Sequence, residues 1–331
     1  MKKVLKITLI VFSVIVVAIT GLVGYVKTAL PAANVADAPD LKIDYTAERI
    51  KRGEYLANNV AMCIDCHSTR DFSTFGGPVI PGTEGKGGEK FGKELGFPGD
   101  FYAPNITPAA IGNWTDGELF RAITTGVSKD GHALFPLMPY PNLGQLDKED
   151  IYSIIAYVRT LKPIENEVPP SEPIFPVSLL LNTMPQEAAF TTIPSKEELV
   201  PYGKYLFTAS ACADCHTPME KGKRIEGKFA AGGMEFNLPD GTVLRSANIT
   251  PDPQTGIGNW TAEYFVSRFK AYSDSGYVAK KVGPKEFKTI MPWPAYTHMD
   301  STDLKAIYAY LKTIPAVNNQ VIKFEEQQPA D

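Results

Sequence analysis

From Ile7 to Val26 the chain carries no charged side chain. Twenty residues at about 1.5 Å each cover a hydrocarbon core of about 30 Å, so this run predicts one membrane-spanning helix. Beyond it the apolar positions fall into shorter stripes. A helix is predicted over about residues 46–60. Thr115-Asp116-Gly117-Glu118 is a capping box ahead of the apolar Leu119, Phe120 and Ile123, and predicts a helix start. Asp147 stands ahead of Ile151, Ile154, Ile155, Val158 and Leu161, the spacing of a helix with one buried face, and Pro163 ends it. Prolines 163, 169, 170, 173, 176, 185 and 194 predict a connector that is extended rather than helical, with Leu179-Leu180-Leu181 packed on a domain. Ser195-Lys196-Glu197-Glu198 is a second capping box and predicts the start of the second half. Residues 31–44 read as an Ala/Pro/Asp linker, and 69–104 as glycine-rich loop.

The second half repeats the first in order. Gly53-Glu54-Tyr55 corresponds to Gly203-Lys204-Tyr205, and Asn105-Ile106-Thr107-Pro108 to Asn248-Ile249-Thr250-Pro251. Gly112-Asn113-Trp114-Thr115 corresponds to Gly258-Asn259-Trp260-Thr261, and Met138-Pro139-Tyr140-Pro141 to Met291-Pro292-Trp293-Pro294. The stripe after Asp147 returns after Asp300 as Leu304, Ile307, Tyr308, Leu311 and Ile314. Only loop lengths differ, which implies two copies of one unit. The expected organisation is a membrane anchor at 1–30, a first domain at 45–163, a proline-rich connector at 164–194, a second domain at 195–318 and a tail at 319–331.

Charge separates the anchor from the rest. Lys2, Lys3, Lys6 and Lys27 are the only charged residues among the first 30. The remainder carries 29 basic and 37 acidic residues, a net of −8. A mildly acidic body offers no basic patch for nucleic acid. Lys2, Lys3 and Lys6 are expected in the cytoplasm by the positive-inside rule, which leaves the rest of the chain outside the membrane. A cleaved signal has a shorter apolar region, about 7–15 residues, and the one A-x-A near the run, Ala36-Asp37-Ala38, lies ten residues beyond it. An uncleaved anchor in a bacterial cytoplasmic membrane, with the body in the periplasm, is therefore the expectation.

The chemistry lies in Cys63-Ile64-Asp65-Cys66-His67 and Cys212-Ala213-Asp214-Cys215-His216. Both read C-x-x-C-H, the attachment pattern of a c-type haem, and together they use all four cysteines. Two thiols three positions apart can each add across one vinyl group of the same porphyrin. The following His is then held under the iron. A zinc site would usually want four ligands, and a redox dithiol has no need of the His. Two covalently bound haem c groups are expected, on Cys63, Cys66 and His67 and on Cys212, Cys215 and His216.

Of the four histidines, His132 and His298 remain for the far side of the iron. They do not correspond in the repeat: His132 precedes Met138, whereas His298 follows Met291. They are read as surface or structural. Met138 and Met291 do correspond, each before a proline and an aromatic. A methionine is commonly a core filler, but the shared context assigns these two as the second axial ligands. The metal-ligand set is then His67, Met138, His216 and Met291, and His/Met ligation raises the reduction potential. Asn105, Asn248, Trp114, Trp260 and Arg245 are candidate donors to haem propionates, with turn capping the alternative for the two asparagines.

On these motifs the chain resembles a tandem of class I cytochrome c domains, mainly α with long irregular loops. The N-I-T-P and G-N-W-T segments more closely resemble the cytochrome c subunits of membrane-bound alcohol and gluconate dehydrogenases. The likeness covers about residues 45–318. It lacks the third C-x-x-C-H of those subunits and puts the apolar segment at the N-terminus. The resemblance implies that Gly53 and Gly203 let the first and last helices of each domain approach, with Tyr55, Tyr205, Tyr157 and Tyr310 in the aromatic packing. It implies electron transfer, with a dehydrogenase, a quinol-linked complex or an oxidase as redox partner. Two six-coordinate irons would leave no place for a substrate. The alternative is a dihaem enzyme of peroxidase or thiosulfate-oxidising type with one open iron, and a haem sensor would want the same.

Overall fold

The computed structural model describes residues 2–220, 222–273 and 277–326; Met1 of the expected anchor and residues 327–331 of the expected tail lie outside these. The chain is mainly helical. The apolar run forms α1 (Lys2–Thr28), 27 residues long. In the first half follow α2 (Ala47–Tyr55), α3 (Cys63–Cys66), α4 (Pro108–Ile111), α5 (Asp116–Thr125), α6 (Tyr140–Leu143) and α7 (Lys148–Val158). The connector holds α8 (Val177–Leu180). The second half has α9 (Leu199–Ala209), α10 (Cys212–His216), α11 (Ala262–Lys270), α12 (Trp293–Tyr296) and α13 (Ser301–Leu311).

Two helix pairs organise the body. α2 crosses α7, and α9 crosses α13. Both crossings are made at a glycine. A Cβ on Gly53 would stand 1.8 Å from the Ser153 carbonyl oxygen, and one on Gly203 would stand 1.8 Å from that of Ala306. Backbones in such contact exclude any side chain, as the resemblance implied. The stripes bury as their spacing predicts: Ile151, Ile154, Ile155, Leu304, Ile307 and Leu311 all lie in the core. Thr115 forms its capping box with Glu118, and Asp147 caps α7 through the Glu149 N–H.

The box at Ser195 does not form. α9 starts at Leu199, and Ser195 turns its hydroxyl to Glu197 instead. Pro201 explains the shift. A helix capped by Ser195 would carry that proline in its interior, where the ring clashes with a carbonyl one turn back. Starting at Leu199 puts it in the first turn, where the missing N–H costs nothing. The connector departs from the expected extended form as well. Val177–Leu180 and Leu181–Thr183 are helical turns, and Leu180 is exposed rather than packed on a domain.

Each half also builds a small antiparallel sheet from a hairpin and a strand that follows its last helix. β1 (Lys90–Phe91) pairs with β2 (Gly99–Tyr102), which pairs with β3 (Glu172–Pro173), with Phe91 opposite Phe101 and Gly99 opposite Pro173. A two-stranded ribbon, β4 (Met219–Glu220) and β5 (Lys223–Arg224), follows α10. In the second half β6 (Glu235–Asn237), β7 (Thr242–Arg245) and β8 (Phe324–Glu326) pair in the same order, with Phe236 opposite Leu244 and Thr242 opposite Glu326. The linker at 31–44 is also strapped down. Asp116 accepts hydrogen bonds from the Ile43 N–H at 3.0 Å and the Tyr45 hydroxyl at 2.6 Å.

One apolar core runs through both halves, and a reciprocal polar contact crosses between them. The Tyr55 hydroxyl donates to Asp303 at 2.8 Å and accepts from the Asp300 N–H at 3.0 Å. The Tyr205 hydroxyl donates to Asp150 at 2.6 Å and accepts from the Asp147 N–H at 3.1 Å. Each half thus finishes the N-terminus of the other's last helix. The carboxylates themselves are buried, Asp303 fully and Asp150 to 5 % exposure. Their compensation differs. Arg52 binds Asp150 through Nε and Nη2, both at 2.8 Å. The residue corresponding to Arg52 is Tyr202, which gives Asp303 one hydroxyl at 3.2 Å, and Lys196 lies 3.6 Å away.

A buried acceptor that loses its donor is destabilised by about 1–3 kcal/mol. Tyr55→Phe should therefore cost more than Tyr205→Phe, because Asp150 keeps its two-pronged guanidinium, whereas Asp303 keeps the Tyr202 hydroxyl at 3.2 Å and Lys196 at 3.6 Å. Urea unfolding of the two variants checks this, and the reverse order would contradict the account.

Candidate functional site

α3 and α10 begin at the same unusual place. Met62 (φ 60°) and Ala211 (φ 50°), the residues just before each C-x-x-C-H, are both left-handed. A side chain there costs about 1–2 kcal/mol. The reversal lets one helical turn start against the end of the preceding helix. Cys63 and Cys66, like Cys212 and Cys215, are then three apart on one turn and so share a face. All four are free thiols. Each is partly open at the surface, Cys215 most. The protein packed behind them nonetheless pushes the pKa of Cys63, Cys66 and Cys212 up to about 12 and that of Cys215 to about 11. Thiols held neutral are poor metal ligands and slow redox nucleophiles.

The histidines are fixed in one tautomer. His67 Nδ1 donates to the Pro104 carbonyl at 2.7 Å, and His216 Nδ1 donates to the Ala247 carbonyl at 2.7 Å. A carbonyl only accepts, so Nδ1 carries the proton and the Nε2 lone pair is free to ligate. Burial also lowers both imidazole pKa values, against the pull of that carbonyl, which favours the neutral ring a ligand needs.

Glycine-rich turns hold these carbonyls in place, the first within the glycine-rich loop expected at 69–104. The Gly87 N–H donates to the His67 carbonyl at 2.7 Å, and the Gly232 N–H to that of His216 at 2.8 Å. Both glycines are left-handed, φ 71° and 72°, and lie directly under the segment that supplies the carbonyl. A Cβ on Gly87 would stand 2.4 Å from the Pro104 carbonyl carbon, and one on Gly232 would stand 2.4 Å from that of Ala247. Their spacing from the motifs differs between the halves, so the sequence alone does not single them out.

The asparagines of N-I-T-P are spent within the protein. Asn105 Oδ1 accepts from Thr107 N at 2.9 Å while its Nδ2 donates to the Ile164 carbonyl at 2.8 Å. Asn248 does the same with Thr250 N at 2.9 Å and the Val317 carbonyl at 2.8 Å. They cap turns and staple them to the segment leaving the last helix, the turn-capping role given as the alternative for both. Arg245 is likewise engaged, by Glu235 and Glu325. Trp114 and Trp260 lie half-buried against the core.

Met138 and Met291 occupy matching loops. Each is half-buried and gives its carbonyl to the N–H two residues on, Tyr140 at 2.7 Å and Trp293 at 2.8 Å, as α6 and α12 begin. His132 and His298 are exposed, and His132 bonds to Asp130 and Ser128. The surroundings of the two motifs are less alike. Asp65 is buried beside Arg70 at 2.8 Å, and burial pushes its carboxyl up to about 6 against that cation. Its counterpart Asp214 is more open and pairs with Arg224 and with Asn142 of the first half. A loop of the first half also reaches the second methionine loop. Phe75 stacks on Tyr272 at 6.1 Å and Tyr272 stacks on Trp293 at 5.0 Å.

The donor set fits a haem attached through two thioethers. It offers two neutral thiols on one turn and an imidazole with Nε2 left open. Among the described residues no group of three or more His, Cys, Asp or Glu is placed to hold a bare metal ion. Residues 200–315 match the cytochrome c family. The second half of the chain is thus similar to a cytochrome c domain. Relatives extend the likeness to most of the chain. The "Alcohol dehydrogenase (quinone), cytochrome c subunit" of Gluconacetobacter polyoxogenes is 28% identical over 304 residues, covering 87% of this chain and 60% of the relative. The "Fructose dehydrogenase cytochrome subunit" of Gluconobacter japonicus is 29% identical over 308 residues, 87% of this chain and 57% of the relative. A "Diheme cytochrome c-type" protein of Cereibacter sphaeroides is 29% identical over 295 residues, 86% of this chain and 91% of the relative. The chain thus spans about 60% of the length of the dehydrogenase subunits it matches.

Gly87→Ala and Gly232→Ala should each lower the haem bound per chain, because the methyl group displaces the carbonyl that orients the histidine. Gly131→Ala is the control, left-handed at φ 86° with nothing within 4 Å of the added carbon. If the control loses as much haem as the other two, backbone strain rather than the histidine bracket is responsible.

Proposed function

We propose that this chain is a membrane-anchored dihaem cytochrome c with two tandem domains, 45–163 and 195–318, joined by the connector at 164–194. The observation that carries the reading is the same bracket around His67 and around His216. The relatives' printed names support haem binding and an electron-transfer role. Cys63 and Cys66 tether one haem and Cys212 and Cys215 the other. His67 and Met138 would ligate the iron of one haem, and His216 and Met291 that of the other. The haem iron, when bound, supplies the one-electron couple.

The chain's own residues do the rest. The Pro104 and Ala247 carbonyls hold each ring at a fixed angle and make Nε2 a better donor. The methionine thioethers, soft ligands, favour the ferrous state. Tyr55 and Tyr205 hold the two halves in register, so the spacing of the two sites is set by the fold. α1 anchors the chain in a bacterial cytoplasmic membrane with the body in the periplasm. Electrons pass between a periplasmic dehydrogenase or another respiratory donor and an acceptor, with a dehydrogenase, a quinol-linked complex or an oxidase as redox partner.

The reduced pyridine assay should return two haems per chain, both retained after acid-acetone extraction; a ratio near one would refute the pair of sites. Met138→Ala and Met291→Ala should each open one iron to carbon monoxide in the reduced state, whereas His132→Ala and His298→Ala should leave the spectrum unchanged. Carbon monoxide binding by the unmodified protein would favour an enzyme with an open site.

A further inference from the structure

The helical connector 174–183 stands against the end of α1. Along α1 the side chains from Lys2 to Leu22 are exposed, whereas Val26, the last residue of the charge-free run, is only 8 % exposed. The connector covers it: α8 and the turn after it pack on α1, and Asn182 Nδ2 donates to the Val26 carbonyl at 3.1 Å. If α1 spans a bilayer, Val26 marks the edge of the hydrocarbon, and whatever touches it lies at headgroup depth.

The connector is composed for that depth. No charged residue stands between Glu172 and Glu187. Phe175 is 78 % exposed, Leu180 46 % and Ile174 45 %, within or just before the α8 turn that packs on the helix end. Large apolar side chains bared together mark a contact surface. The stretch is also fixed to the body, since Ile174 N donates to the Pro98 carbonyl at 2.9 Å and β3 pairs with β2. The linker from α1 is tied back to it, with Ala36 N donating to Glu187 at 2.6 Å.

We propose that residues 174–181 are a second membrane contact, lying in the headgroup layer of a phospholipid bilayer beside α1 and setting the posture of the body on the membrane. This rests on the anchoring reading above. Phe175, Ile174 and Leu180 enter the upper acyl region, as the apolar face of an interfacial helix does. A bilayer, rather than a protein, is the occupant because the patch is continuous with the end of the spanning helix.

The full-length holoprotein is placed in phosphatidylcholine vesicles containing a phospholipid with a photoactivatable group high on its acyl chain. After flotation through high salt and illumination, crosslinked peptides are mapped by mass spectrometry. The expected result is crosslinks on residues 174–181 as well as on α1. The double variant Phe175→Ser with Leu180→Ser should lose the connector crosslinks several-fold, with unchanged flotation and haem spectrum. Unmodified protein that floats but crosslinks through α1 alone would overturn the proposal, leave the anchor standing and assign the patch to a protein partner. Protein that does not float would overturn the anchor, and the proposal with it.

Discussion

The carbonyls of Pro104 and Ala247 govern how each half is arranged. A histidine that ligates through Nε2 must dispose of the proton on Nδ1, and a main-chain oxygen is the most rigid place to put it. That oxygen has to be held still. A left-handed glycine presses against it from below and returns an N–H to the histidine's own carbonyl. An asparagine one residue on locks the turn and ties it to the segment leaving the last helix. The last helix is in turn held by the crossing at Gly53 or Gly203. Glycine turn, asparagine staple and helix crossing are therefore parts of one support, and a change in any of them reaches the imidazole.

Much of the site was legible because its chemistry is local. Two thiols and an imidazole within five residues define the attachment motif with no knowledge of the fold. The stripes after Asp147 and Asp300 were legible for the same reason, since a helix writes its buried face at fixed spacing. What the sequence hid was non-local. Nothing near Tyr55 shows that its hydroxyl will cap a helix about 245 residues away, and the resemblance placed it only in aromatic packing. Asn105 and Asn248 could equally have faced a ligand or their own turn; the partners that decide, Ile164 and Val317, lie beyond the last helix of each half. The Ser195 capping box was overruled by Pro201, and the proline-rich connector coils where its prolines leave room, between Pro176 and Pro185.

The halves share a scaffold without sharing every charge. Arg52 faces Asp150 where Tyr202 faces Asp303. Asp65 is enclosed with Arg70 and Glu89 where Asp214 stays open beside Arg224. The first half sends Phe75 onto the rings beside Met291. Such differences fall on side chains around the repeated backbone bracket, which leaves its geometry untouched while the electrostatics on each side diverge.

The reciprocal tyrosine contact has the form of an isologous interface, in which patch i meets patch j and j meets i. Two separate copies of a single half could make it twice, with identical partners. Joined in one chain, the copies meet at a fixed effective concentration and no longer need to be identical. A guanidinium at position 52 and a phenol at position 202 are a difference only the fused pair can carry on one side alone. In a homodimer the phenol would appear at both carboxylates at once and leave each without its close cation. The contact therefore has the form of a symmetric dimer interface held within one chain, whose two sides are free to differ.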